Sequence, residues 1–243
     1  MIDDNNKYLS NVPFMAASGN HEASGTDAIL NHFNFNAPEQ DTSKGLYYYF
    51  DYGDARFIVL NTNLLDGTSK ISQSQYNWLK RTLESNTKKW TIVSMHNPIY
   101  SVGKWVQNEE LNATSLKLRD QLFKVFARYN VDLVIQGHDH TYSKTYPISV
   151  EGKADLEAKY ETINSVKYTV NPNGVIYAVN GTSGTQNRKP YKTPDKNVYE
   201  IFGESNTNSW ANITVENDKL TVKVMYLDNG TPKLWNSYGI IKK

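Results

Sequence analysis

The 243-residue sequence is 39% hydrophobic and 12% aromatic, enough to bury the core of one globular domain. Its 26 basic and 25 acidic side chains nearly cancel, which gives no electrostatic ground for expecting a nucleic acid or an anionic membrane as partner. The absence of cysteine excludes disulfides, thiolate metal sites and a cysteine nucleophile, and no apolar run approaches the roughly 20 residues that span a bilayer.

Met1 to Ser10 is polar and acidic and has neither the basic nor the apolar region of a signal peptide. Val12 to Ser18 is a short apolar run that stops at Gly19, which predicts a buried strand leading into the loop Gly19-Asn20-His21-Glu22. Leu46 to Phe50 and Arg56 to Asn61, separated by Asp51-Tyr52-Gly53-Asp54, predict an antiparallel hairpin. Ser72 caps a predicted helix to Leu83 with Gln75, Trp78, Leu79 and Leu83 on one face, and a strand follows from Trp90 to Met95, ending at His96. A second helix is predicted from Thr114 to Tyr129, with Leu118, Leu122, Val125 and Phe126 on one face, before a strand from Val131 to Gln136 that ends at Gly137-His138-Asp139-His140. Gly174 to Asn180 and Trp210 to Leu227 read as further strands. Alternating helices and buried strands predict an α/β sandwich. The chain reads as a single domain over 1–243, with a motif-bearing α/β part over 1–168 and a β-rich part over 169–243. The sequons at Asn112, Asn180, Asn212 and Asn229 carry no weight in a chain this rich in Asn, Lys and Ser.

Four of the five histidines, His21, His96, His138 and His140, follow the C-terminal end of a predicted buried strand, and His32 does not. That edge is where α/β sheets bind ligands. Imidazole suits zinc, iron and manganese, and the two rings of a His-x-His pair can address neighbouring ions if the backbone bends between them. Taken singly, each histidine reads as well as a loop residue, and Asn20 reads as a turn former. The coincidence of three strand-end motifs in this order is what chance does not supply.

Gly19-Asn20-His21-Glu22, Met95-His96-Asn97-Pro98 and Gly137-His138-Asp139-His140 resemble, in order, the last three motif blocks of calcineurin-like metallophosphoesterases. Tyr49 to Gly53, Phe57 to Thr62 and Gln75 to Leu79 are similar to the purple acid phosphatase branch in particular, and the likeness covers about residues 10–150. The resemblance implies a four-layer α/β/β/α sandwich, incomplete here at its N-terminal side. It implies that Asn20, His96 and His138 ligate one metal and His140 a second, with His21 on the phosphate. It further implies iron, zinc or manganese ions roughly 3.5 Å apart, a phosphate-ester substrate and hydrolysis by a deprotonated water.

The sequence departs from that family where its earlier blocks should stand, since an Asp-x-His and a Gly-Asp-x-x-Tyr are both lacking. Asp3 and Asp4 lie upstream in a polar stretch without the required spacing, and Asp139 is the other nearby carboxylate. The resemblance therefore implies an inactive fragment of a two-metal phosphomonoesterase or phosphodiesterase, binding one metal or none, with an extracellular or cell-surface location for the complete protein. The alternative is a non-catalytic binding or scaffold protein of the same fold. A small-molecule site on Tyr47, Tyr48 and Tyr49 is a weaker reading, because alternate residues of such a run pack into a sheet. A sheet edge exposed beside Phe14 to Ala17 predicts a homodimer.

Overall fold

The computed structural model describes residues 11–22, 31, 33, 35, 46–63, 65, 67–184, 186–204 and 208–243. Asp3, Asp4 and His32 lie outside the described residues. The predicted hairpin is β1 (Tyr48–Tyr52) and β2 (Ala55–Leu60), paired antiparallel with Phe50 opposite Phe57. Gly53 turns it with a φ of 56°, a conformation that a side chain would strain.

Helix α1 (Gln73–Glu84) leads to β3 (Trp90–Met95). Ser72 caps α1 as predicted, its Oγ accepting from the Gln75 amide at 3.2 Å. A single-turn helix α2 (Lys104–Gln107) and the long helix α3 (Ala113–Arg128) then lead to β4 (Leu133–Gln136). Strands β2, β3, β4 and β8 (Ile176–Asn180) run parallel and form the centre of a seven-stranded sheet. That sheet is completed by β1 on one side and by β5 (Thr141–Thr145) and β9 (Tyr199–Glu204) on the other. The second sheet holds β6 (Lys159–Ile163), β7 (Val166–Val170), β10 (Ser209–Glu216), β11 (Lys219–Asp228) and β12 (Thr231–Ile241).

Strict alternation of side chains along the central strands divides the core in two. Ile58, Leu60, Val93, Met95 and Val134 point to one face and pack under Leu79 and Leu83 of α1 and Leu118, Leu122 and Phe126 of α3. Ala55, Trp90, Ile92, Leu133 and Ile176 point to the other and meet Leu220, Val222, Val224 and Ile240 of the second sheet. Among the described residues, helices, first sheet and second sheet stack in that order, as the α/β/β layers of the expected sandwich.

Two expectations change. Val12 to Ser18 forms no strand and pairs with none among the described residues, and Val12, Phe14 and Met15 are 61%, 42% and 39% exposed. It is tied down where the Tyr48 hydroxyl donates to Ala16 O at 2.8 Å and Asn63 Nδ2 to Ser18 O at 2.7 Å. The tyrosine run makes no binding wall. Tyr47 packs on Trp78 and Tyr48 stacks on Phe35, and only Tyr49 is exposed, beneath the Arg56 guanidinium.

Candidate functional site

Because β2, β3 and β4 are parallel and in register, their C-terminal ends open at one edge, and each passes directly into polar residues there. β2 continues into Asn61-Thr62-Asn63, β3 into His96-Asn97 and β4 into Gly137-His138. These segments are stapled together. Asn97 donates its backbone N–H to Thr62 Oγ1 at 2.9 Å and its Nδ2 to Thr62 O at 2.6 Å, and Gly137 N donates to His96 O at 3.0 Å. The Gln75 amide, wholly buried on α1, accepts from Asn61 N and donates to Asn61 O, each at 2.9 Å. A Cβ at Gly19 would lie 3.0 Å or less from the His96 ring and from Glu22 Oε2, so the loop bearing Asn20 approaches β3 as closely as glycine allows.

Asn20 Oδ1, His96 Nε2 and His138 Nδ1 converge. The amide oxygen lies 2.7 Å from His96 Nε2 and 3.1 Å from His138 Nδ1, and the two ring nitrogens are 3.1 Å apart. Ligand atoms at right angles around an ion with bonds of about 2.1 Å lie about 3 Å apart, so this triangle fits one face of a first-row divalent ion. No group of three His, Cys, Asp or Glu occurs among the described residues, because the third donor here is an amide oxygen. Burial first, with the neighbouring His96, His140, Arg188 and His21 adding to it, pushes the His138 imidazole down to about 4. Burial also lowers His96, against the opposing pull of the Glu22 carboxylate. Both rings are therefore neutral at pH 7, the form that offers a lone pair to a metal.

His138 adopts a φ of 64°, in the left-handed region that a non-glycine residue seldom occupies. His140 Nδ1 lies 2.8 Å from Gln186 O; a carbonyl only accepts, so Nδ1 carries a proton. His140 shares no hydrogen bond with the three atoms of the triangle among the described residues. His21 is exposed beside the cluster, near enough for its charge to act on both His96 and His138.

The pattern reading did not single out Asp139, Trp105 or Arg188 for the places they hold. Asp139 is buried, and its Oδ1 accepts from Trp105 N at 3.3 Å at the start of α2, so it supports that helix and not the triangle. Its other oxygen has no hydrogen-bond partner, and burial raises its pKa. Trp105 lies 4.7 Å from the His138 ring, centroid to centroid. Arg188 is fixed by its backbone N–H to His140 O at 3.1 Å. The signal for Trp105 was a large aromatic in the loop after β3, and a lone aromatic in a loop carries no period to read.

The chain is 26% identical over 197 residues to human acid phosphatase type 7, covering 74% of this chain and 42% of that protein. It is 29% identical over 194 residues to the Arabidopsis thaliana protein called probable inactive purple acid phosphatase 1, covering 72% of this chain and 30% of that one. Among solved structures, a purple acid phosphatase from yellow lupin seeds superposes with a TM-score of 0.70 at 22% identity, covering 96% of this chain and 41% of that chain. The chain therefore spans less than half the length of these relatives and shares the fold of the lupin enzyme. The family model for calcineurin-like phosphoesterases matches residues 1–142, the stretch that carries the Asn20 loop and the ends of β3 and β4. With the strand-edge geometry, that match establishes that the chain belongs to the calcineurin-like phosphoesterase family.

Proposed function

We propose that this edge is part of the active site of a metal-dependent phosphoric ester hydrolase of the acid phosphatase kind. The observation that carries the reading is the convergence of Asn20 Oδ1, His96 Nε2 and His138 Nδ1 within 3.1 Å of one another. These three atoms would hold one zinc, iron or manganese ion, and His140 Nε2 would contribute to a second. When bound, such ions polarise phosphoryl oxygens and lower the pKa of a coordinated water. His21, exposed beside the cluster, would hydrogen-bond a phosphate oxygen, and the Arg188 cation would add to the field that attracts the anion.

All four proposed ligands are neutral, and the 243 residues contain neither Asp-x-His nor Gly-Asp-x-x-Tyr. Without a carboxylate to bridge two ions, the chain by itself should bind one ion weakly and turn over phosphate esters poorly. The relative called a probable inactive purple acid phosphatase supports a second reading, a non-catalytic protein on the same fold. We also infer self-association through the exposed Val12 to Ala17 segment.

Calorimetry with zinc tests the metal reading. One weak site is expected, abolished by His96→Ala or His138→Ala and little changed by His21→Ala; two tight sites, or zinc binding that survives His96→Ala, would sink the assignment. Joining the chain to a segment that carries both acidic motifs should give hydrolysis of an aryl phosphate in the presence of manganese or zinc. A joined protein that folds and binds two ions yet hydrolyses no phosphate ester would establish the non-catalytic reading.

A further inference from the structure

A cleft of about 280 Å³ includes Asn20 and His138 of the ligand triangle in its lining. Part of the lining is apolar. It is made by Trp105, Leu65 and Leu111, and Leu111 is 38% exposed. The indole of Trp105 is held in place by the His138 ring at 4.7 Å, by the Lys104 ammonium at 4.6 Å from its centroid, and through its backbone N–H by the buried Asp139. The rest of the lining is polar but uncharged. Asn63 and Asn97 each donate their side-chain N–H to a backbone carbonyl, Ser18 O at 2.7 Å and Thr62 O at 2.6 Å. That fixes both amides and leaves their Oδ1 acceptors for a ligand. Thr114, in the first turn of α3, adds a hydroxyl.

No Asp, Glu, Lys or Arg lines this cleft among the described residues. A second phosphate or carboxylate placed here would be desolvated without a counter-charge, which is strongly unfavourable. A planar ring carrying hydroxyl or amino groups suits both kinds of lining at once: its faces against tryptophan and leucine, its donors on the two asparagine oxygens. We propose that the cleft receives the uncharged, ring-bearing alcohol portion of a phosphate ester, and so selects aromatic or heteroaromatic esters over compact or multiply charged ones. This rests on reading Asn20, His96 and His138 as metal ligands at the phosphate end.

The test follows the Trp105 indole N–H by two-dimensional NMR in the full chain, assigned with Trp105→Phe. In the metal-free protein, benzamide at millimolar concentration should shift that resonance, and a resonance that does not move would overturn the proposal. With zinc present, phenylphosphonate should bind about tenfold more tightly than methylphosphonate, and inorganic pyrophosphate should show no such gain. Trp105→Ala should reduce the preference to within about twofold. Leu111→Asp, a change at an exposed position, should also weaken phenylphosphonate selectively and guards against misfolding of the tryptophan variant. Equal affinity for the two phosphonates, or a preference that survives both substitutions, overturns the cleft assignment. Benzamide binding in a zinc-loaded chain that takes up neither phosphonate would leave the cleft standing and count against the hydrolase reading instead.

Discussion

At the scale of single residues, the three donor atoms were legible because each follows an apolar run that ends in a loop. What no local pattern encodes is their separation. Asn20, His96 and His138 are far apart in sequence, and only the parallel register of β3 and β4 and the Ser18–Asn63 contact bring them within 3.1 Å. Asp139 illustrates the opposite case. In the sequence it was only the other carboxylate near the histidines, whereas its Oδ1 accepts from Trp105 N at 3.3 Å. Titration offers a check on the residue-level reading of the hairpin. Arg56 bonds both oxygens of Asp51, at 2.8 and 3.1 Å, and donates to Thr82 O of α1 at 3.0 Å. The hydrogen bond to Arg56 holds the Asp51 carboxyl below its usual range. A depressed folded-state value contributes stability that is present above the unfolded value of about 3.9 and is lost as pH falls through the folded one. Asp51→Asn should therefore destabilise by about 1 kcal/mol from pH 8 to pH 5, and the gap should close below about pH 4. Urea melts of both proteins across that range measure it, and a gap unchanged at pH 3 would refute the pairing.

At the scale of elements, α1, α3 and the central strands were legible because each has one period over its length, 3.6 for the helices and 2 for the strands. Both helices begin and end within two residues of the expected positions. Helix α2 has four residues, too few to show a period, yet it carries Trp105 to His138. Strands β5 and β9 were missed for a different reason. Their buried positions include polar residues, and Thr141, Ser143, Lys144 and Thr145 are all buried in β5. Lys144 is tolerated there because Glu200 of β9 pairs with it and also takes Lys167 of β7 at 2.7 Å, so one carboxylate joins the two sheets. Burial lowers the Lys144 pKa and Glu200 opposes that shift. Glu200→Gln strands a buried ammonium and should destabilise the fold by about 3 kcal/mol, whereas the double change Lys144→Met with Glu200→Leu should recover most of the loss. Denaturant midpoints decide this, and a single variant within 0.5 kcal/mol of the parent, taking roughly that value as the surface-substitution range, would mean the pair is hydrated.

At the scale of the whole molecule, the two cores close on each other but the margin beside β1 does not. β1 is an edge strand of the first sheet, and the Val12 to Ser18 segment lies near it without joining the ladder. Phe14 touches Phe33, which stacks on Phe35, which stacks on Tyr48, so a file of aromatic rings runs from the buried core to a partly exposed end. Apolar surface gathered beside an unpaired strand edge is the arrangement that templates contact with another chain. A second copy brings the same edge and the same exposed Phe14 and Met15, and a two-fold contact between identical patches is self-complementary. Size-exclusion chromatography with light scattering should therefore give a mass that rises above that of one chain as concentration increases. Phe14→Ser with Met15→Ser should return the protein to a monomer without lowering its denaturant midpoint, since both side chains are already exposed. A monomeric mass at millimolar concentration would show that the patch is covered by the chain's own residues. An unfolding free energy that falls by more than about 1 kcal/mol in the double variant would show that the segment belongs to the core and not to an interface.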